Sequence, residues 1–331
     1  MFFRKGLLIK WLILIVIILV ASIVAFNSRG TIGVEKDLPG KKNIVFIMKM
    51  KSGEYWDTVK MGATAAAKEF EVNVTFDGTD TEEDVDGQIN LVDLAVLNKA
   101  DALVLAASDY KKLKPTVEKV YDSKLPIILI DSEVNTDKFD CYIGSDNKAA
   151  GRQAGEKLVW LVGARARIIV LSFDIDNKSL IDRENGLYEV LNKHKGVEIA
   201  AVGRVNSSIE AAGLLVGQLL ENNKSIDGIV ALDSVGSIAA AEVLSKKKLA
   251  GKVKLIAFDG TKKEIEMLDT GVIQAMVVQN PFTIGYMGVK NAVECMNDKP
   301  IKKYNYAETK VIDATNMYLQ ENQKLLFPFA N

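Results

Sequence analysis

The chain holds one histidine, His194, in 331 residues. A multi-histidine metal centre is therefore excluded, and a catalytic triad could draw only on this one residue. His194 itself stands in the run Asn192-Lys193-His194-Lys195, which reads as an exposed helix end. Cysteine is almost as scarce. Cys141 and Cys295 lie far apart and match neither a CxxC motif nor a zinc spacing; they are either two small buried thiols or one long-range disulfide. A surplus of one charge is also missing, since 42 Lys and Arg face 43 Asp and Glu for a net charge of −1. Phosphate backbones are gripped by basic faces, so nucleic acid is not expected as a partner. No nucleophile–base pair and no metal-ligand constellation stands out, which points to binding rather than catalysis, with no cofactor and no metal. What remains is an ordinary globular balance, 48% apolar and 26% charged, in a chain long enough for two domains.

The one long hydrophobic run is at the start. Residues 11–26 are apolar or small without interruption, and Arg4, Lys5 and Lys10 precede them. Counted back to Leu7 the run reaches about twenty residues, roughly 30 Å of helix, the thickness of a bilayer core. The preceding positive charges keep the N-terminus cytoplasmic and place the rest outside. An uncleaved anchor fits better than a signal peptide, because a cut after Ala25 puts Ile23 at the −3 position, and no cysteine follows for lipid attachment. Residues 1–26 are thus expected as a membrane anchor and 27–42, with Gly30, Gly33, Pro39 and Gly40, as a linker.

Beyond residue 43, short β-rich runs alternate with longer helical stretches. Strands are predicted at 44–48, 72–76, 102–106, 126–130, 167–171, 197–202, 228–231, 254–258 and 272–278. Helices are predicted at 56–70, 85–97, 112–123, 149–162, 180–194, 209–221, 236–248 and 281–297. Such alternation gives βαβ units with parallel sheets and right-handed crossovers, too many for one open sheet, so two doubly wound lobes are expected.

Open α/β sheets bind ligands beyond the carboxyl ends of their strands. The first strand is followed by Lys49, Lys51, Glu54, Tyr55 and Trp56, and the fourth by Asp131-Ser132-Glu133. Strand 167–171 leads to Phe173, Asp174, Asp176 and Asn177, with Arg183 in the next helix; later strands lead to Asp233-Ser234, Asp259-Gly260-Thr261 and Gln279-Asn280-Pro281. Carboxylates, amides and a guanidinium can pair with the hydroxyl rim of a sugar, and an aromatic such as Trp56 can cover its C–H face. Each has a plainer role open to it. The aspartates can cap the following helices, Trp56 can fill core, Arg183 can make a surface ion pair, and Lys49 and Lys51 can be solvated loop charges.

Taken in order, these residues resemble the type I periplasmic sugar-binding proteins, the ribose- and xylose-binding class. The resemblance covers residues 43–316. It is carried by Tyr55-Trp56 after the first strand, the turn ending at Asp131, the run Ile143-Gly144-Ser145-Asp146-Asn147, Arg183 with Gly186, the turn Ala257-Phe258-Asp259-Gly260, and Gln279-Asn280-Pro281 with Gly285. It implies two Rossmann-like lobes joined by a three-segment hinge near Asp146, Gln279 and Thr309. One lobe would comprise 43–146 with 280–309, the other 147–279 with 310–331. It places ligand contacts on Lys49, Tyr55, Trp56, Asp131, Asn177, Arg183, Asp233, Asp259 and Gln279, with Lys51 as a further position. The chain departs from the pattern at Ser132, where arginine is common, at Asp233, where asparagine is common, and at 206–208, which lack a stacking aromatic that Phe173 would replace. The same fold serves DNA-binding repressors, but here the membrane segment occupies the place of their helix-turn-helix.

The resemblance implies an extracytoplasmic monosaccharide-binding protein, with a pentose such as xylose favoured, that closes on its ligand. An anchored form would signal to a membrane histidine kinase; the alternative is the binding component of a sugar ABC importer, with its permease as partner.

Overall fold

The computed structural model describes residues 40–173 and 176–327. The expected anchor and most of the expected linker lie outside them. Among the described residues no helix is long and apolar enough to cross a membrane.

Two six-stranded sheets organise the chain. The first contains β1 (Asn43–Met50), β2 (Asn73–Thr79), β3 (Ala102–Leu105), β4 (Ile127–Ile130), β5 (Cys141–Ser145) and β11 (Tyr304–Ala307), in the order β11-β5-β4-β3-β1-β2. The second contains β6 (Ala166–Phe173), β7 (Val197–Val205), β8 (Gly228–Ala231), β9 (Lys254–Phe258), β10 (Ala275–Val278) and β12 (Lys310–Asp313), in the order β12-β10-β9-β8-β6-β7. The first sheet is parallel throughout; in the second, β12 runs antiparallel to β10. Both orders reverse beside their first strand, between β2 and β3 in one sheet and between β7 and β8 in the other. Such a switch point opens a crevice at the strand carboxyl ends.

Strands covered on both faces read as continuous apolar runs. ALVL of β3, IILI of β4 and AMVV of β10 are buried at every position. Successive β1 residues feed opposite cores. Phe46 and Met48 pack with Val59 and Ala63 of α1 (Glu54–Glu69) and Ile284 of α9 (Pro281–Met296), while Ile47 packs with Val92 of α2 (Val85–Leu97) and Val117 of α3 (Lys114–Asp122). In the second lobe Ile168 and Val170 meet α4 (Asn147–Val162) and α5 (Lys178–Leu191), and Ile169 and Leu171 meet α6 (Ile209–Asn222) and α7 (Ser234–Lys246). Each fully buried Val, Leu, Ile, Phe or Met among them contributes about 1.5–3 kcal/mol.

One helix pair in each lobe packs at backbone contact. A Cβ on Gly62 would lie 2.0 Å from the Phe282 carbonyl oxygen, and one on Gly285 would lie 1.9 Å from that of Val59. A Cβ on Gly151 would lie 2.0 Å from the Arg183 carbonyl oxygen, and one on Gly186 would lie 2.0 Å from that of Lys148. Only glycine admits these approaches, which bring α1 against α9 and α4 against α5.

The chain passes between the sheets three times. It leaves the first after Ser145 through Asp146, whose carboxylate caps α4 by accepting from the Ala149 N–H at 2.8 Å. It returns after Val278 through Gln279 and Asn280 into α9, and crosses again between β11 and β12 at Glu308 and Thr309.

The structure departs from the sequence pattern in places. Strands β5, β11 and β12 and the helices α8 (Lys262–Asp269) and α10 (Gln320–Leu326) were not predicted. The strand predicted at 272–278 begins only at Ala275, because Gly271, at φ 75°, closes the preceding turn. Cys141 and Cys295 are both free thiols, so the long-range disulfide is not formed. The buried Cys141 sulfur instead accepts from the Asn305 side-chain amide at 3.1 Å.

Candidate ligand-binding cleft

A cavity of about 170 Å³ lies where the carboxyl ends of both sheets face each other, and all nine expected contact residues line it.

On the first lobe, Lys49, the penultimate residue of β1, is 3% exposed and its ammonium lies 2.5 Å from Asp131. The Tyr55 hydroxyl donates to the other Asp131 oxygen at 2.6 Å. No helix follows Asp131, so it caps nothing; its φ of 61° turns the backbone so that the carboxylate meets these two donors. Burial alone would raise the Asp131 carboxyl, but the Lys49 ammonium, the Tyr55 hydroxyl and the Arg183 guanidinium hold it below the usual carboxylate range. The Tyr55 hydroxyl is pushed well up by burial and then by Asp131. Trp56, at 5% exposure, meets Tyr55 edge-to-face with centroids 5.1 Å apart. It is both a core residue and a wall of the cleft.

On the second lobe, Arg183 is not a surface residue. At 4% exposure its Nε donates to the Asn147 side-chain oxygen at 3.0 Å and its Nη1 to the Leu232 carbonyl at 2.7 Å. The guanidinium lies over the Phe258 ring at 4.6 Å and 3.8 Å from Asp259. The Asn177 side-chain oxygen caps α5, accepting from the Ser179 N–H at 3.0 Å, and also accepts from Ser132 of the first lobe at 3.2 Å. Asp233 caps α7 with one oxygen, which accepts from the Gly236 N–H at 2.7 Å. Asp259 caps no helix, because Thr261 and Glu264 form the capping box of α8. Its carboxylate accepts from the Gln279 amide at 2.7 Å, and the Gln279 oxygen accepts from Ser145 at 2.8 Å. A continuous polar chain thus runs from Arg183 through Asp259 to the two crossings at Ser145 and Gln279.

Lys51 does not line the cleft; it is exposed and pairs with Asp80. Phe173 does line it, as does Ser207. Glu82 was missed, although it too follows a strand. The pattern ended β2 at residue 76, and the strand runs on to Thr79. Contacts also bridge the lobes around the rim. The Ser207 N–H and hydroxyl donate to Glu83 at 2.8 Å each, the Lys262 N–H donates to Glu54 at 2.9 Å, and Lys111 pairs with Asp176 at 2.9 Å. Among the described residues no group of three or more His, Cys, Asp and Glu could hold a metal ion.

Comparison with known proteins agrees with this architecture. The chain is 23% identical over 271 residues to the D-ribose/D-allose-binding protein of Pseudomonas aeruginosa, covering 80% of this chain and 85% of that protein. A carbohydrate transporter solute-binding protein of Agrobacterium radiobacter, solved with D-arabinose, superposes with a TM-score of 0.85 at 26% identity, over 87% of this chain and all of that one. An ABC transporter solute-binding protein of Agrobacterium vitis, solved with D-fucose, gives 0.82 at 28% identity, over 86% of this chain and 99% of its own. The periplasmic binding protein domain spans residues 44–300. With two crossover-linked sheets and that domain over most of its length, the chain belongs to the periplasmic binding protein family.

Proposed function

We propose that the protein binds a single monosaccharide between its lobes and closes on it. The observation that carries this is the meeting of Lys49, Tyr55, Trp56 and Asp131 from one lobe with Asn177, Arg183, Asp233 and Asp259 from the other, beside Gln279, around one small cavity. Sugar-bound relatives and the names of curated relatives support the same class. A pentose, xylose first, is the ligand the sequence favours. A site lined with paired polar groups rejects analogues that leave those groups unpaired.

The test is thermal unfolding of the full chain in detergent against xylose, ribose, arabinose, fucose, glucose and galactose. A ligand confined to the folded state at a hundred times its Kd adds about 2.7 kcal/mol of stability, which appears as a rise of several degrees in Tm. No rise with any of the six sugars sinks the proposal. Trp56→Ala removes the apolar wall and is expected to weaken the binding sugar by about 1–3 kcal/mol in calorimetry; an unchanged Kd removes Trp56 from the site.

Two outlets for binding follow. Both solved relatives are named as transporter solute-binding proteins, one of them of an ABC transporter, which supports a role in sugar import. An uncleaved anchor at 11–26 would restrict diffusion and favour a fixed membrane partner, which supports a sensor beside a histidine kinase instead. Purification of the tagged chain from membranes separates them: a permease that co-purifies supports import, a kinase supports sensing.

A further inference from the structure

We infer that the cleft takes a sugar bearing a basic nitrogen, held by Asp233 and Glu82 from opposite lobes. This rests on the monosaccharide reading and narrows it to amino sugars.

The cleft wall carries Glu54, Glu82, Asp131, Asp233 and Asp259 against only two cations, Lys49 and Arg183. Both cations are already engaged. Lys49 lies 2.5 Å from Asp131, and Arg183 is spent on Leu232, Asn147 and Asp259. Glu54 sits at the exposed rim and accepts from the Lys262 N–H. Among the described residues neither Asp233 nor Glu82 has an ion-pair partner at contact distance; Arg183 and Lys49 act on them only from further off. Asp233 is 8% exposed, and while one of its oxygens caps α7, the other is buried and has no hydrogen-bond partner. That second oxygen belongs to a residue of the cavity wall.

A buried carboxylate oxygen without a donor is costly, and either a proton or a cation relieves it. Burial first, then the neighbouring Asp259 and Glu82, push the Asp233 carboxyl up to about 7, against the pull of the Gly236 N–H and, more weakly, of Arg183. Glu82 is raised as well, by burial first and by the repulsion of Asp131 and Asp259, against the attraction of Lys49. A neutral hydroxyl offers these two groups a single proton. A ligand ammonium carries three donors and no acceptor, with the charge the wall lacks. A hydrogen bond to a charged partner contributes more than a neutral one, so the amine gains relative to its parent hydroxyl.

The test is calorimetry on the full chain in detergent at pH 7 with paired ligands: 2-amino-2-deoxy-D-xylose beside D-xylose, D-glucosamine beside D-glucose, D-galactosamine beside D-galactose. In at least one pair the amine is expected to bind roughly tenfold tighter or more. Asp233→Asn keeps a side-chain oxygen for the α7 cap but removes the charge, and is expected to collapse that advantage to less than about threefold; Glu82→Gln is expected to reduce it too. Neutral parents that match or beat their amines in every pair that binds overturn the inference and leave the monosaccharide reading standing. An amine advantage that survives both substitutions also overturns it. If no member of any pair binds, and the six-sugar panel is silent as well, both readings fall.

Discussion

Arg183→Ala is expected to abolish sugar binding and to lower the unfolding free energy by about 2–4 kcal/mol. The side chain is 4% exposed, and its guanidinium spans three partners. Its loss leaves the Leu232 carbonyl and the Asn147 oxygen without their donor, and Asp259 without its cation. Removing one member of a buried charge pair costs about 3–5 kcal/mol; Asp259 retains the Gln279 amide and some water access, which reduces the figure. Arg183→Lys restores the charge but cannot donate in two fixed directions, so stability is expected to recover in part and binding hardly at all. Urea unfolding and calorimetry read the two effects separately. Sugar affinity within about twofold of wild type in Arg183→Ala takes the arginine out of the site.

Gly186→Ala is expected to destabilise the second lobe by about 1–3 kcal/mol or more and to weaken binding with it. The added methyl would stand 2.0 Å from the Lys148 carbonyl oxygen and 3.0 Å from the Arg152 nitrogen. Backbone cannot turn aside as a side chain can, so α5 has to lift away from α4, and overpacking of this kind costs in that range. Arg183 lies one turn earlier on α5 and Asn177 caps it, so the site moves with the helix. Gly217→Ala is the control. Gly217 also lies within a helix, α6, but a Cβ there meets nothing within 4 Å. Relief of glycine's backbone entropy is then expected to stabilise the protein by about 0.5–1 kcal/mol. The same substitution thus has opposite signs at the two positions, measurable by urea midpoint. A Gly186→Ala protein as stable as wild type would show that the two helices are not locked at this contact.

The fold was legible wherever burial on both faces wrote apolar runs into the chain, as in ALVL of β3 and GIVA of β8. It was illegible in β11, whose sequence YNYA alternates exposed and half-buried positions at the sheet edge, and in β5, where Gly144 interrupts a run of five residues. Strand ends led to the nine cleft residues because an open α/β sheet presents whatever follows its strands. The double duty of Asp233, one oxygen capping a helix and the other without a donor, depends on what is absent around it in space, and no spacing of residues encodes that. The role of Ser132 was hidden for the same reason; its partner Asn177 comes from the other lobe, 45 residues on.

The glycine contacts that lock α1 to α9 and α4 to α5 leave neither pair room to slide. Domain movements by shear require packed helices to slip past one another, and hinge movements do not. The proposed closure is therefore expected at the three crossings, with each locked pair carried along as a block. A patch confined to one block keeps its shape at every opening angle. A membrane partner that touches both blocks at once would read the distance between two rigid faces as a caliper does.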